Sequence, residues 1–234
     1  MATTITLQPS PGNDTYIASA NPTTNYGTND TLYLGYSSSA VNSCRILIKM
    51  DLSSIPFGST ILSSKLYITV TGDNANTNGT ISAYRLLRNW NLSQATYNVY
   101  STGNSWGTAG GTGSGDIDLS VGAWGTCATG SADAVNTVRE ISLNTTEFAK
   151  LVNNTYNNYG WLLKTADASS DIYIYGSGDS TTESIRPKLV VEYIAPAGGE
   201  PVSVSPFFNF FKNFESPWMK RGVWQPNNKG LVTI

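Results

Sequence analysis

Alternation of apolar and polar residues, the period of a β-strand with one buried face, dominates the chain. The clearest example is Lys65–Thr71, in which Leu66, Ile68 and Val70 would point inward while the intervening residues point outward. Other short apolar or alternating segments are Thr31–Tyr36, Arg45–Met50, Thr80–Leu86, Trp161–Lys164, Ile172–Tyr175 and Lys188–Tyr193. Short strands separated by Gly, Asn, Asp and Ser are typical of an all-β, jelly-roll-like β-sandwich, which is the fold that we predict.

One segment, residues 144–153, predicts a helix instead. Asparagines stand at both ends, where capping residues are favoured, and Glu147 would lie in the first turn. Phe148, Leu151 and Val152 follow at helical spacing. A single short helix is therefore expected among the strands.

Between Asn89 and Gly130 the strand pattern gives way to Gly, Ser and Thr together with Trp90, Trp106 and Trp124. We expect long loops that cross one edge of the sandwich, and function tends to reside on such loops. The three indole faces would suit stacking on the sugar rings of a glycan. The alternative is that these tryptophans pack at the sandwich edge as a satellite core.

Asp116 and Asp118 lie two residues apart, so they would share one face of a strand. We expect a solvated strand end, and the alternative is a carboxylate pair that carries out acid–base chemistry on glycosides or binds Ca²⁺. The remaining acidic residues form no cluster of the kind that a hydrolase requires, so we predict that the protein is not an enzyme. We expect no cofactor and no metal, with a structural calcium ion as the one alternative.

Asp14 and Asp51 are expected to cap turns or to pair with Arg45 or Arg186, in preference to binding a metal ion. The tripeptide Asn-Tyr-Gly occurs twice, at residues 25–27 and 158–160, and we interpret both copies as structural. Glycine allows a positive φ, and an asparagine side chain hydrogen-bonds its own turn.

The composition excludes several classes of chemistry. The 234 residues include no histidine, which removes Ser-His-Asp and Cys-His catalysis and imidazole metal ligands. Charged residues make up 13% and the net charge is −2, so a nucleic-acid partner is not expected. Cys44 shares its alternation face with Ile46 and Ile48, which favours a buried thiol over a disulfide with Cys127.

No apolar stretch approaches the ~20 residues of a membrane span, so we expect none. The first residues have neither a basic start nor an apolar run, so we also expect no signal peptide. The composition nevertheless resembles that of extracellular proteins. Virion components released by lysis combine these two properties, and the predicted location is a virion or an extracellular surface.

The composition changes again near Ala195, where residues 196–201 have the character of a linker. The tail beyond it has too few residues to bury its aromatic side chains in a core of its own. We predict two domains, a sandwich at residues 1–195 and an anchoring arm at 196–234. The arm would insert into other copies of the chain or other subunits of an assembly, or it would strap its own sandwich. The predicted partner-binding residues are Phe207, Phe208, Phe210, Phe211, Phe214, Trp218 and Trp224.

Five motifs, in order from about residue 8 to 194, resemble those of the DNRLRE domain family. They are Asp14–Gly27 with Thr31–Leu34, Arg45–Pro56, Ala95–Gly111, Asn158–Lys164 and Arg186–Tyr193. Met50 and Tyr97 depart from the family pattern, where Phe and Trp are common. The resemblance does not extend to the tail.

The resemblance implies a jelly-roll β-sandwich of secreted and surface proteins, without a catalytic residue set. Some relatives are carbohydrate-binding modules for alginate-like polysaccharides, and others accompany cell-wall, adhesion or phage structural proteins. Two hypotheses follow. The first is a structural protein of a phage virion, a capsid decoration or fibre component that is anchored by the arm and able to adhere to glycans. The alternative is a carbohydrate-binding module for an acidic polysaccharide.

Overall fold

Antiparallel strands account for most of the regular structure in the computed structural model. The structure describes residues 1–9, 13–37, 42–73, 78–131, 133–166 and 172–197. All of them belong to the first of two units into which the chain divides, Met1–Gly199, whereas the second unit, Glu200–Ile234, lies outside the described residues. The predicted boundary at residue 195 stays a prediction.

The described strands in chain order are β1 Ala2–Leu7, β2 Asp14–Ala18, β3 Thr31–Ser37, β4 Asn42–Ile48, β5 Thr60–Asp73, β6 Thr80–Arg85, β7 Val99–Ser101, β8 Asn104–Ser105, β9 Gly125–Ala128, β10 Val138–Ser142, β11 Trp161–Lys164, β12 Ile172–Gly176 and β13 Lys188–Ile194. One α-helix, α1, spans Thr145–Val152, and a 3-10 turn spans Glu183–Ile185.

Eleven of these strands form one antiparallel sheet that curls into a sandwich, which confirms the predicted all-β class. Its order is β1-β13-β5-β12-β3-β4-β11-β6-β9, with β10 paired to β5 and β2 paired to β4. The fourteen-residue strand β5 pairs with β13 and β10 as well as with β12. Strands β7 and β8 form a separate hairpin.

The clearest predicted strand is confirmed, since Leu66, Ile68 and Val70 are all 0% exposed. The helix is also confirmed, with Asn144 as its N-cap and Asn153 as its C-cap. Six of the described strands were not predicted: β1, β2, β7, β8, β9 and β10. The sequence did not predict β2 because this strand is buried on both faces, so its apolar and polar residues do not alternate.

The main core lies inside the curled sheet, and α1 closes one part of it. Phe148 of α1 stacks on Trp161 with ring centroids 6.2 Å apart, and Trp124 meets Trp161 edge-on at 6.4 Å. Cys44 is a free, buried thiol, as predicted, and burial raises its pKa to about 11. Cys127 is also free but only half-buried.

A second, smaller core covers the outer surface of the same sheet. We call residues 86–118 the cover segment, because its apolar side chains pack on Ile17, Leu47 and Leu162, which point away from the main core. The packed residues of the cover segment are Leu86, Trp90, Ala95, Trp106 and Ile117. The segment that was predicted as long loops therefore forms an outer layer that packs on the sandwich.

Asp116 fastens the cover segment from within. Its carboxylate is fully buried and accepts hydrogen bonds from the backbone N–H groups of Gly107 at 2.8 Å, Thr108 at 2.9 Å and Gly113 at 3.1 Å. Arg88 Nε lies 3.4 Å from the same carboxylate. The prediction of a solvated strand end is wrong here, because three amide donors replace water around the charge.

Asp118 is also buried, in an arrangement of its own. Its carboxylate pairs with Arg85 Nη2 at 2.8 Å and accepts hydrogen bonds from the backbone and side chain of Ser120, which with the guanidinium lower its pKa. Asp116 and Asp118 thus belong to separate hydrogen-bond networks. Within the described ranges, His, Cys, Asp and Glu side chains form no group of three that could hold a metal ion.

The two Asn-Tyr-Gly tripeptides form the same hydrogen bond within the turn. Asn25 Oδ1 accepts a hydrogen bond from Gly27 N–H at 3.1 Å, and Asn158 Oδ1 accepts one from Gly160 N–H at 3.2 Å. The amide group of Asn158 donates to Met50 O at 2.8 Å, so the turn is tied to a distant segment. Gly160 has φ 79°, a conformation that favours glycine.

Asp14 joins β2 to the loop after β12. Its buried carboxyl group accepts hydrogen bonds from Ser177 Oγ at 3.1 Å and from Gly178 N–H at 2.8 Å. Loss of water on burial outweighs these bonds and raises the pKa of Asp14 from 3.8 to about 6. Asp51 caps an exposed turn by accepting from Ser53 N–H at 2.9 Å.

Neither of these aspartates forms an ion pair with a described arginine. Arg45 Nη1 donates instead to Gly110 O at 3.0 Å and to the Tyr97 hydroxyl at 3.2 Å, which binds the cover segment to β4. Arg186 Nε donates to Ser180 O at 2.8 Å. Among the described residues, no helix combines the length and the apolar character needed to cross a membrane.

We expect Asp14→Asn to gain stability relative to the unmodified protein as the pH rises from 4 to 7. The folded state favours protonated Asp14, so its contribution is fully present below pH 3.8 and is lost as the pH rises through about 6. About two pKa units correspond to roughly 3 kcal/mol in the free energy of unfolding. Urea unfolding of both proteins at several pH values measures this difference, and a difference that does not change with pH would contradict it.

We expect Asp116→Ala to loosen the cover segment while the main core stays protected. Three backbone N–H groups in part-buried hydrogen bonds would lose their acceptor, at a cost of about 3 kcal/mol in the free energy of unfolding. Hydrogen exchange should accelerate at Gly107, Thr108 and Gly113 but not at Ile68 of β5. The matched control is Asp51→Ala, which removes one exposed turn cap. Equal destabilisation by the two variants would show that Asp116 does not hold the segment.

Candidate functional site

A cavity of about 270 Å³ opens where the cover segment meets the ends of two strands. It is lined by Asn13, Lys49, Trp90, Asn91, Leu92 and Ser93. Asn13 directly precedes β2, and Lys49 directly follows β4. The backbone N–H of Lys49 donates to Asn13 O at 2.8 Å, so the two sheet-side residues are held next to each other.

Trp90 forms part of the wall and is fixed in orientation. Its indole N–H donates to Tyr159 O at 2.8 Å, and the side chain packs in the second core with only 8% of its surface exposed. The indole therefore presents a small apolar edge to the cavity. Leu92 extends this apolar surface.

Asn91 and Ser93 supply the polar part of the same wall. Asn91 Oδ1 accepts hydrogen bonds from both the backbone N–H and the hydroxyl of Ser93, each at 3.0 Å. The backbone N–H of Asn91 donates to Tyr100 O at 2.9 Å, which ties this turn to β7. With its Oδ1 engaged, Asn91 is left with its amide N–H groups to donate to a ligand.

A clamp from outside the cover segment keeps this wall in place. The side-chain amide of Asn25 donates to Leu92 O and to Ala95 O, each at 2.7 Å. Gly27 packs so closely on the Leu92 carbonyl that a side chain there would collide with it. The wall is thus held by backbone contacts before any ligand arrives.

Lys49 is the one charged residue of the lining, and it forms no salt bridge with a described residue. The nearby Asp51 is held mainly by hydrogen bonds from Ser53, and these bonds, with a smaller effect of the Lys49 charge, lower its pKa. The residues that line the cavity thus carry one ammonium group, two side-chain amides and one hydroxyl, beside the apolar side chains of Trp90 and Leu92. Among the described residues that line the cavity, none is an aspartate or a glutamate.

The three predicted glycan-stacking tryptophans are not brought together. Trp106 is 5% exposed in the second core, where its indole N–H donates to Thr96 O at 2.9 Å. Trp124 is 2% exposed and lies in the main core. Trp90 is the one that reaches the cavity. Trp90 and Trp106 pack at the sandwich as a satellite core, the alternative to glycan stacking, since neither presents a free indole face to solvent.

The other lining residues were not identified from the sequence. They come from three separate segments, and no local period or spacing indicates that these residues meet. The predicted partner-binding residues lie outside the described residues: Phe207, Phe208, Phe210, Phe211, Phe214, Trp218 and Trp224. The predicted arm therefore stays a prediction.

A family model for carbohydrate-binding module family 96 matches residues 5–110, slightly less than half of the chain. The matched region includes the end of β1, all of β2 to β8, most of the cover segment and every residue that lines the cavity. No curated protein matches the chain. The first half of the chain is thus similar to a carbohydrate-binding module, a class of non-catalytic binding domain.

Proposed function

We propose that this protein is a non-catalytic carbohydrate-binding module whose ligand occupies the cavity between β2, β4 and the cover segment. The observation that carries the proposal is the lining itself, which lies entirely inside the region similar to carbohydrate-binding module family 96. The predicted non-enzymatic character is supported by the similarity of residues 5–110 to a class of non-catalytic binding module.

The chemistry of the lining suits a sugar. Hydroxyl groups of a sugar both donate and accept hydrogen bonds, and Asn13, Asn91 and Ser93 offer both kinds of partner. Trp90 and Leu92 provide the apolar surface against which the C–H groups of a pyranose ring can pack. A volume of about 270 Å³ lies at the small end of ligand pockets and suits one sugar residue better than a long stretch of polymer.

We further propose that the ligand is an acidic polysaccharide. Lys49 places a positive charge in the lining without an opposing carboxylate. A uronic-acid carboxylate would form a charge-assisted hydrogen bond with this ammonium group, which is about twice as strong as a neutral one. A polysaccharide ligand also accords with an extracellular or surface location.

The virion hypothesis rests on different residues. It depends on the aromatic segment after residue 195, outside the described part of the chain, whereas the resemblance of residues 5–110 supports the carbohydrate alternative. The two roles are compatible, but the cavity argues for the second alone.

We expect Lys49→Gln to weaken binding of a uronic-acid hexasaccharide about tenfold, because the charge-assisted bond would be lost. Binding of the hexasaccharide by the unmodified protein should weaken as salt is added, and this salt dependence should shrink in the variant. Isothermal titration calorimetry at two salt concentrations measures both effects. The matched control is Lys188→Gln, since Lys188 lies on β13 and outside the cavity lining.

Three results would count against the proposal. The first is an absence of binding to the hexasaccharide by the unmodified protein. The second is an equal loss of affinity in Lys49→Gln and Lys188→Gln, because it would reflect overall charge and not the cavity. The third is stronger binding of a neutral hexasaccharide, which would retain the carbohydrate-binding role but remove its acidic specificity.

A further inference from the structure

Three tyrosines from different segments form a cluster beside the cavity wall, and we call Tyr16, Tyr26 and Tyr33 the tyrosine cluster. Tyr16 and Tyr26 are stacked, with ring centroids 4.2 Å apart and planes inclined by 16°. Tyr33 meets Tyr16 at 5.1 Å with a tilt of 50°. Tyr16 is buried, whereas Tyr26 and Tyr33 are only half-buried.

Tyr26 is joined to the cavity through both of its neighbours in the chain. Asn25 donates to the carbonyl of Leu92, a lining residue, and Gly27 packs against the same carbonyl and against the Leu92 side chain. The turn that carries Tyr26 therefore borders the Leu92 side of the cavity. Because a hydrogen bond and a close approach both join this turn to Leu92, the position of the turn relative to the cavity is fixed.

Three other half-buried tyrosines near the cover segment carry a cation against the ring, whereas no described cation lies against that of Tyr26. Arg45 lies 5.3 Å from the Tyr97 ring centroid, Arg88 lies 5.6 Å from that of Tyr100, and Lys164 lies 5.7 Å from that of Tyr84. Within the described residues, Tyr26 has a single ring contact, with Tyr16, and no cation on its ring. One face is thus backed by a buried ring.

We propose that Tyr26 is a second sugar subsite, which stacks on the residue next to the one held in the cavity. This inference rests on the proposed function. A tyrosine supported from behind by a buried aromatic ring is a rigid platform with few rotamers to lose on binding. Its neutral ring suits the apolar face of a pyranose, while Lys49 and the amides of the cavity hold the polar groups of the adjacent residue.

The proposal fixes the size of the ligand. A cavity alone would recognise one sugar residue, such as a chain end, and its affinity would not depend on ligand length. A cavity with a stacking subsite beyond its rim would bind a chain segment that continues past Leu92. The ligand is therefore an oligosaccharide segment of at least two residues.

The test compares a uronic-acid monosaccharide with a hexasaccharide by isothermal titration calorimetry. The main variant is Tyr26→Leu, which keeps an apolar side chain against Tyr16 but removes the ring. We expect it to weaken hexasaccharide binding about five- to tenfold and to leave monosaccharide binding unchanged. Tyr26→Phe retains the ring and should bind within about twofold of the unmodified protein.

The matched control is Tyr33→Leu, which removes a ring from the same cluster but from a residue that is not tied to Leu92. Thermal unfolding of all variants identifies any loss of fold, and Tyr26→Phe supplies the comparison if Tyr26→Leu is destabilised. The subsite would be overturned if Tyr26→Leu lost the same affinity for the monosaccharide as for the hexasaccharide. It would also be overturned if Tyr33→Leu, and not Tyr26→Leu, lost affinity for the hexasaccharide alone.

The outcomes separate this inference from the proposed function. If the unmodified protein binds both ligands and Tyr26→Leu binds them equally well, the cavity is retained as the binding site and the subsite is overturned. If the unmodified protein binds neither ligand, the carbohydrate-binding function and the subsite are overturned together.

Discussion

The structure depends on the need to bury both faces of the sheet around β2, β4 and β11. The inward faces of these strands form the main core, but Ile17, Leu47 and Leu162 point the other way and are equally buried. Left exposed, each would forgo roughly 1.5–3 kcal/mol of burial free energy. The cover segment supplies the missing layer, and the cavity lies where this layer meets the strand ends.

Buried aspartates hold this layer and the adjacent loops in place. Asp116 gathers three amide groups of the cover segment, Asp118 pairs with Arg85, and Asp14 fixes the loop after β12. In a chain with 13% charged residues, these carboxylates act as acceptors for backbone groups that strands and helices do not satisfy.

The site combines rigid backbone with a few adaptable side chains. Asn25, Gly27 and the indole N–H of Trp90 fix the wall, whereas Lys49 contributes a long, flexible cationic side chain to the lining. Such preorganisation reduces the conformational entropy that a ligand must remove on binding. The resemblance of residues 5–110 to a carbohydrate-binding module is consistent with a site in which recognition, and not chemistry, is the task.

The sequence by itself determined the fold class, the inward face of β5, the limits of α1, the buried thiol of Cys44 and the exclusion of histidine chemistry. These features follow from local period and composition, which depend on neighbouring residues. Strand β2 showed no period because both of its faces are buried. The sequence predicted a solvated Asp116, because the backbone N–H groups that surround its carboxylate come together only in the folded chain.

The cavity was decided by tertiary structure alone. Asn13, Lys49 and residues 90–93 are distant in sequence and meet only because β2 pairs with β4 and the cover segment lies over both. The same holds for the tryptophans, whose side chains the sequence could not assign to solvent or core. Periodicity records which face of an element is buried, whereas a site depends on which elements are brought together.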